Sequence, residues 1–191
     1  MPLSRSVLGR RAIHRRRVEI EAFLREDQLL ELDACLIDTK EEDYLLASGV
    51  RRAGEPVHGL YLRMTLDADC QILAVEAVSD WVPYPGACDT IGPAYQQLVG
   101  LNLLKGFRRA ASALFADTQG CTHLTELLLA LPTAAIQALA TFRRDTDDSE
   151  GKPFQLDRCH ALDTRGAAVR QYYPRWFRAD DGAGDEAAES E

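Results

Sequence analysis

The sequence has no apolar run of the roughly 20 residues that a membrane helix needs, no CxxC pair, no glycine-rich phosphate loop and no internal repeat. The first absence argues against a spanning protein, and no membrane partner is expected. The second leaves any metal site without a local pair of sulfur ligands. The third removes the usual cradle for nucleotide phosphates. Basic residues open the chain, but no apolar stretch stands behind them, so the N-terminus does not read as a secretory signal. A cytoplasmic protein is expected. Aromatic residues are scarce at 7%, and the net charge is −8. The basic run "RRAIHRRR" at 10–17 is therefore poorly equipped to hold nucleic acid, which is not an expected partner. Five cysteines, an odd number spread widely, argue against a disulfide framework in that compartment. Metal ligation, a reactive thiol or plain burial remain.

What is present suits one globular domain. The chain has 191 residues, 46% of them hydrophobic and 27% charged, enough to bury a core. The expected domain covers 1–178, with a basic segment at 1–17. Residues 179–191 are acidic and small, and they read as a disordered tail. "RVEIEAFLRED" alternates Val18, Ile20, Ala22 and Leu24 with polar neighbours, and "LLELDACLIDTK" repeats the pattern with Leu30, Leu32, Ala34 and Leu36. Both have the two-residue period of a half-buried strand, and "REDQ" reads as their turn. After "GEP", residues 57–80 give two more strands around Asp67-Ala68-Asp69.

Helices are expected next. Residues 88–117 show helical spacing through Tyr95, Leu98, Leu101, Leu104, Phe107 and Leu114, with a bend at Gly106. Residues 121–142 form a second helical block, kinked or divided at Pro132. A polar loop, "DDSEGKP", then leads to short strands in "FQLDRCHAL" and "AAVRQYYPRWF" around the turn "DTRG". Strands, then helices, then strands specify an α+β class. The expected architecture is an antiparallel sheet of about four to six strands, covered on one face by two or three helices.

Chemistry is concentrated at element boundaries. Cys88 falls between a proline-rich loop and the first helical block, and Cys121 opens the second. A helix N-terminus favours a thiolate over a thiol, which suits a nucleophile or a soft metal ligand. The same positions suit a small apolar residue under a loop. His58 begins a strand, and His123 lies two residues after Cys121. If the element ends meet, His58, Cys88, Cys121 and His123 form a tetrahedral set for zinc or iron. Glu126, three residues from His123, can orient its imidazole or carry a proton, or it is an ordinary first-turn acid. Cys121, His123 and Glu126 are thus the catalytic candidates. Cys35 and Cys70 read as packing residues within strands, and His14 as part of a solvated basic face.

The stretches "GEPVHGLYLRMTLD", "LVGLNLLKGF", "GCTHLTELL", "KPFQLDRCHAL" and "YPRWF" resemble a bacterial domain-of-unknown-function family. Some of its members are encoded beside genes for the breakdown of plant-derived aromatic compounds. That resemblance implies a small-molecule enzyme such as a lyase in aromatic catabolism. The order of hairpin, cysteine, helix, and cysteine at a later helix start is similar to the scaffolds that assemble iron–sulfur clusters. It implies a NifU/IscU-like core, with Cys88 and Cys121 matching two scaffold cysteines and His58 standing where a third is expected. A metal-binding or scaffold-like carrier without turnover is therefore the first alternative, and a structural interaction module the second.

Overall fold

The computed structural model describes residues 3, 4, 6–142 and 151–179. The acidic tail beyond residue 179 and most of the polar loop before residue 151 lie outside them. The chain divides into two compact units, Met1–Ala138 and Leu139–Glu191.

The first unit is built on a four-stranded antiparallel sheet of β1 (His14–Leu24), β2 (Leu30–Lys40), β5 (Pro56–Leu66) and β6 (Ile72–Trp81), in that order. A short hairpin of β3 (Tyr44–Leu46) and β4 (Gly49–Arg51) fills the link between β2 and β5. Alternation does what the sequence pattern requires. On β2, Leu30, Leu32, Ala34 and Leu36 are buried, and opposite them on β5 so are Leu66, Met64, Leu62 and Leu60. Even-numbered residues of β1, β2 and most of β5 thus share the inner face. The β1–β2 turn closes through Gln28 N–H to the Arg25 carbonyl at 3.0 Å. The class is α+β, as expected.

The covering layer differs from the expected long helix over 88–117. Two 3₁₀ segments, Cys88–Thr90 and Gly92–Leu98, come first, and α1 is confined to Phe107–Leu114. Gly100 and Gly106 take left-handed conformations (φ 89° and 69°), the first just after the second 3₁₀ segment and the second as the N-cap of α1, so the winding is interrupted between them. Between them the chain runs along the start of β6. Gly100 N–H reaches the Ile72 carbonyl at 2.9 Å, and Leu103 N–H reaches that of Cys70 at 2.9 Å. A Cβ at Gly92 would lie 2.3 Å from the Ala77 carbonyl oxygen, so only glycine allows this segment so close to β6. Tyr95, Leu98, Leu103 and Phe107 are all buried. Of the series read from the sequence, Tyr95, Leu98 and Phe107 are buried but Leu104 is exposed, and Leu103 takes the inward place instead.

The second helical block is α2 (Thr122–Ala140), continuous through Pro132. It buries Leu124, Leu127, Leu128, Leu131, Pro132 and Ala135. Contrary to the expectation from the sequence, at 19 residues and mean hydropathy 1.3 it is long and apolar enough to cross a membrane, and a third of it (33%) is buried inside the protein.

The second unit corrects the expected C-terminal strands. It holds 3₁₀ turns at His160–Leu162 and Pro174–Trp176 around a short helix, α3 (Ala167–Tyr172). Val169 and Tyr173 lie four apart, a helical rather than a strand interval, and they pack with Leu156. Asp157 shapes the preceding loop by accepting from Thr164 N–H at 2.8 Å and from the Thr164 hydroxyl at 3.3 Å. Lys152 and these Thr164 bonds hold its carboxyl down to about 2. An unfolded aspartate titrates near 3.9. This contribution to folding is therefore complete above about pH 4 and is lost as pH falls toward 2. The Thr164 amide resonance should titrate with a midpoint near 2, and Asp157→Asn should abolish the transition. A midpoint near 4 would refute the coupling.

Candidate functional site

The inner face of the sheet changes character at one end. On β2 the apolar inward series Leu30, Leu32, Ala34, Leu36 continues into Asp38, which is only 4% exposed. The register places Arg16 of β1 opposite Asp38, and Asp38 opposite His58 of β5. Three polar residues thus form one rung across three strands, on the face that is otherwise hydrocarbon. Immediately beyond it Thr39 faces Pro56, leaving Val57 as the extra residue of a bulge. Such bulges re-aim side chains beside functional sites.

Asp38 is fully engaged. Arg16 donates to both carboxylate oxygens, from Nε at 2.8 Å and from Nη2 at 2.8 Å. His14 Nε2 lies 2.9 Å from one oxygen, and His58 Nδ1 lies 3.1 Å from the other. An ionised carboxylate only accepts, so each imidazole donates from the named nitrogen. Burial works to raise the Asp38 carboxyl. The hydrogen bonds from Arg16 and His14, with the charge of Arg16, outweigh it and hold the group well below the usual carboxylate range.

From above, α2 supplies His123 and Glu126. The His58 and His123 rings meet at 3.9 Å between centroids, tilted by 33°. Burial and the neighbouring His123 push His58 below its ordinary value, against the pull of Asp38. His123 moves the other way, raised chiefly by its contact with Cys121, whose sulfur lies 3.9 Å from Nδ1. Burial pushes the Cys121 thiol up, but the His123 contact and the Leu124 and His123 amides bring it below an ordinary thiol. The Thr125 amide donates to the Cys121 carbonyl at 2.9 Å, so Cys121 is the N-cap residue of α2.

Tyr95 fixes that cap. Its hydroxyl accepts from Cys121 N–H at 3.0 Å and donates to the Cys121 carbonyl at 3.1 Å, while the ring stacks on Phe115 at 4.3 Å. Tyr95→Phe removes the acceptor of the Cys121 amide without changing ring packing. It should lower unfolding free energy by about 1–2 kcal/mol in urea titration. No loss would mean that the amide is satisfied in another way.

Of the residues expected at the site, His58, Cys121 and His123 come together. Cys88 is half-buried at the start of the first 3₁₀ segment, where its amide donates to the Tyr84 carbonyl at 3.0 Å. The one set of at least three metal-capable groups among the described residues is Asp38, His58 and His123, with ligand atoms all within 4.8 Å of one another. Neither cysteine belongs to it. Glu126 does not orient His123; it accepts from Arg16 Nη1 at 2.6 Å. Cys35 is half-buried within β2, Cys70 is buried in the turn after β5 rather than within a strand, and Cys159 is exposed.

Sequence reasoning missed Asp38, Arg16 and His14. The signal was available for Asp38, an acid at the next inward position of an otherwise apolar alternation. His14 and Arg16 share the inward parity of Val18 and Ile20, which separates them from the outward Arg15 and Arg17.

The chain belongs to the family described as protein of unknown function DUF2889, whose model matches residues 14–137. That span runs from β1 into α2 and includes every residue of the rung and its helical cover. No curated protein and no solved structure matches the chain.

Proposed function

We propose that this DUF2889 protein is a small-molecule enzyme of the lyase type, working through acid–base chemistry at His58 and His123. The observation that carries the reading is the 3.9 Å contact between two imidazoles in unlike surroundings. His58 is tied through Nδ1 to a buried carboxylate, and His123 faces a thiol. Environments that push two titratable groups apart divide the roles of acid and base. His58, lowered and held as the Nδ1–H tautomer, keeps a lone pair on Nε2 and is the base. His123, raised, is the acid. In a lyase the base takes a substrate hydroxyl proton, the O–H electron pair becomes part of a carbonyl, and a bond from that carbon breaks. The departing group then takes its proton from His123. Arg16 and Asp38 are positioning residues that hold His58. Plant-derived aromatic compounds with hydroxylated side chains are the substrate class, following the association expected of the family.

A second reading rests on the 4.8 Å grouping of Asp38, His58 and His123. Two imidazoles and a carboxylate are a donor set for iron or zinc. A metal there would polarise an oxygen or activate water. The same site without turnover would make a metal carrier, the functional counterpart of a NifU/IscU-like scaffold.

Turnover of a panel of hydroxylated plant phenolics, with metal analysis of the same preparation, tests these readings. Activity that survives a chelator and is lost in His123→Ala supports acid–base chemistry. Activity lost together with stoichiometric zinc or iron supports the metal enzyme. A labile metal content passed to an apo-acceptor, without turnover, supports the carrier. Neither metal nor turnover, with variants altered in stability alone, leaves an interaction module.

A further inference from the structure

The strand order leaves β1 at a free edge of the sheet. It is 11 residues long, and every residue but the half-buried Ile20 is exposed. Natural edges of this length are blunted by proline, bulges, charged side chains or a covering element, and of these β1 carries the charges. β1 contains no proline, and it pairs with β2 without irregularity over its whole length. On the inner face, the apolar stripe of β1 extends past the helical cover. Val18 is 49% exposed and Leu24 50%.

The outward side chains supply the second observation. Arg15, Arg17, Glu19 and Glu21 project from one face, two cations followed by two anions, with Val18 at the midpoint. Their cross-strand neighbours on β2 do not complement them. Arg17 faces Ile37, Glu19 faces Cys35, and Glu21 faces Asp33, a like charge. Among the described residues, Arg17, Glu19 and Glu21 form no ion pair, and Arg15 has only an exposed contact with Glu41 at 3.8 Å.

We propose that β1 is a self-association edge, pairing antiparallel with β1 of a second copy of this chain about a two-fold axis at Val18. In that register Arg15 lies opposite Glu21 of the second copy, and Arg17 opposite its Glu19. Symmetry doubles these into four opposite-charge pairs. Val18 meets its own counterpart, and Arg16 lies opposite Ile20. Moving the axis to Glu19 places two glutamates opposite each other, and moving it to Ile20 places Glu19 against Glu21 twice. Like charges directly opposite are destabilising. The charge order therefore selects both the partner and the register. The product is one continuous eight-stranded sheet with isologous contacts. This proposal is independent of the chemistry at the site.

Sedimentation analysis of the full chain tests it. The wild type should be a dimer at high micromolar concentration, loosening as salt is raised. Glu19→Arg/Glu21→Arg places four arginines on the outward face of each edge, and Arg15→Glu/Arg17→Glu places four glutamates there. Each variant alone should be monomeric. An equimolar mixture of the two should recover a dimer of mixed composition. The fourfold swap Arg15→Glu/Arg17→Glu/Glu19→Arg/Glu21→Arg should dimerise by itself, which separates lost pairing from lost folding. A monomeric wild type, or dimers unchanged in both double variants, would overturn the proposal. So would a mixture that fails to pair while both variants keep wild-type circular dichroism. A wild type found only with some other protein on β1 would assign the edge to that partner instead.

Discussion

Replacing Asp38 by alanine should lower the stability of the sheet unit by about 3 kcal/mol, read as a fall in the urea midpoint with an unchanged slope. The change strips the shared acceptor from Arg16, His14 and His58 at once. Removing one partner of a buried ion pair costs about 3–5 kcal/mol because the other charge is left uncompensated. Here the Asp38 side chain is 5% exposed but that of Arg16 is 34%, so water reaches the guanidinium and the lower end applies. Arg16 also keeps its bond to Glu126. Asp38→Asn should lose less, since the amide oxygen still accepts from Arg16. A loss below about 1 kcal/mol, the scale of an exposed pair, would show that the rung is not a cooperative unit.

The second large effect concerns turnover. On the acid–base reading, His58→Ala should reduce kcat by 10²- to 10⁴-fold, the usual contribution of a positioned proton-transfer group. KM should move little, because the imidazole acts on the reacting proton and not on remote parts of the substrate. Asp38→Asn should show part of the same loss while costing less stability than Asp38→Ala, since an amide presents a donor as well as an acceptor to Nδ1 and no longer enforces one tautomer. If His58→Ala raised KM and left kcat intact, the imidazole would be a binding contact and the proposed base would be wrong.

The strands were legible because alternation is a local property, and each inward leucine reports its own face. The site was legible only in part, for a physical reason. His58, Cys121 and His123 stood out as reactive types at element ends, whereas Asp38 lies within a strand run and carries no such mark. Its meaning depends on strand register, which brings residues 16, 38 and 58 onto one rung and is not written in any one of them. The segment from Cys88 to Leu104 was misread because buried residues at intervals of three also arise when 3₁₀ turns pack on a sheet. Cys88 was drawn into the site by its type and its boundary position, but the metal-capable grouping among the described residues is Asp38, His58 and His123. The C-terminal segment reads as helix once Val169 and Tyr173 are counted four apart.

The five residues from Arg25 to Leu29 that join the first two strands lie at the far end of the sheet from the reactive rung, yet they set its phase. Lengthening that connection by a single residue would slide one strand past the other and turn every side chain of the displaced strand to the opposite surface. Arg16 would then face outward, and Arg15 or Arg17 would take its place before the aspartate. Homologous chains should therefore tolerate length changes in the stretch that carries the small β3–β4 hairpin far better than at this tight bend.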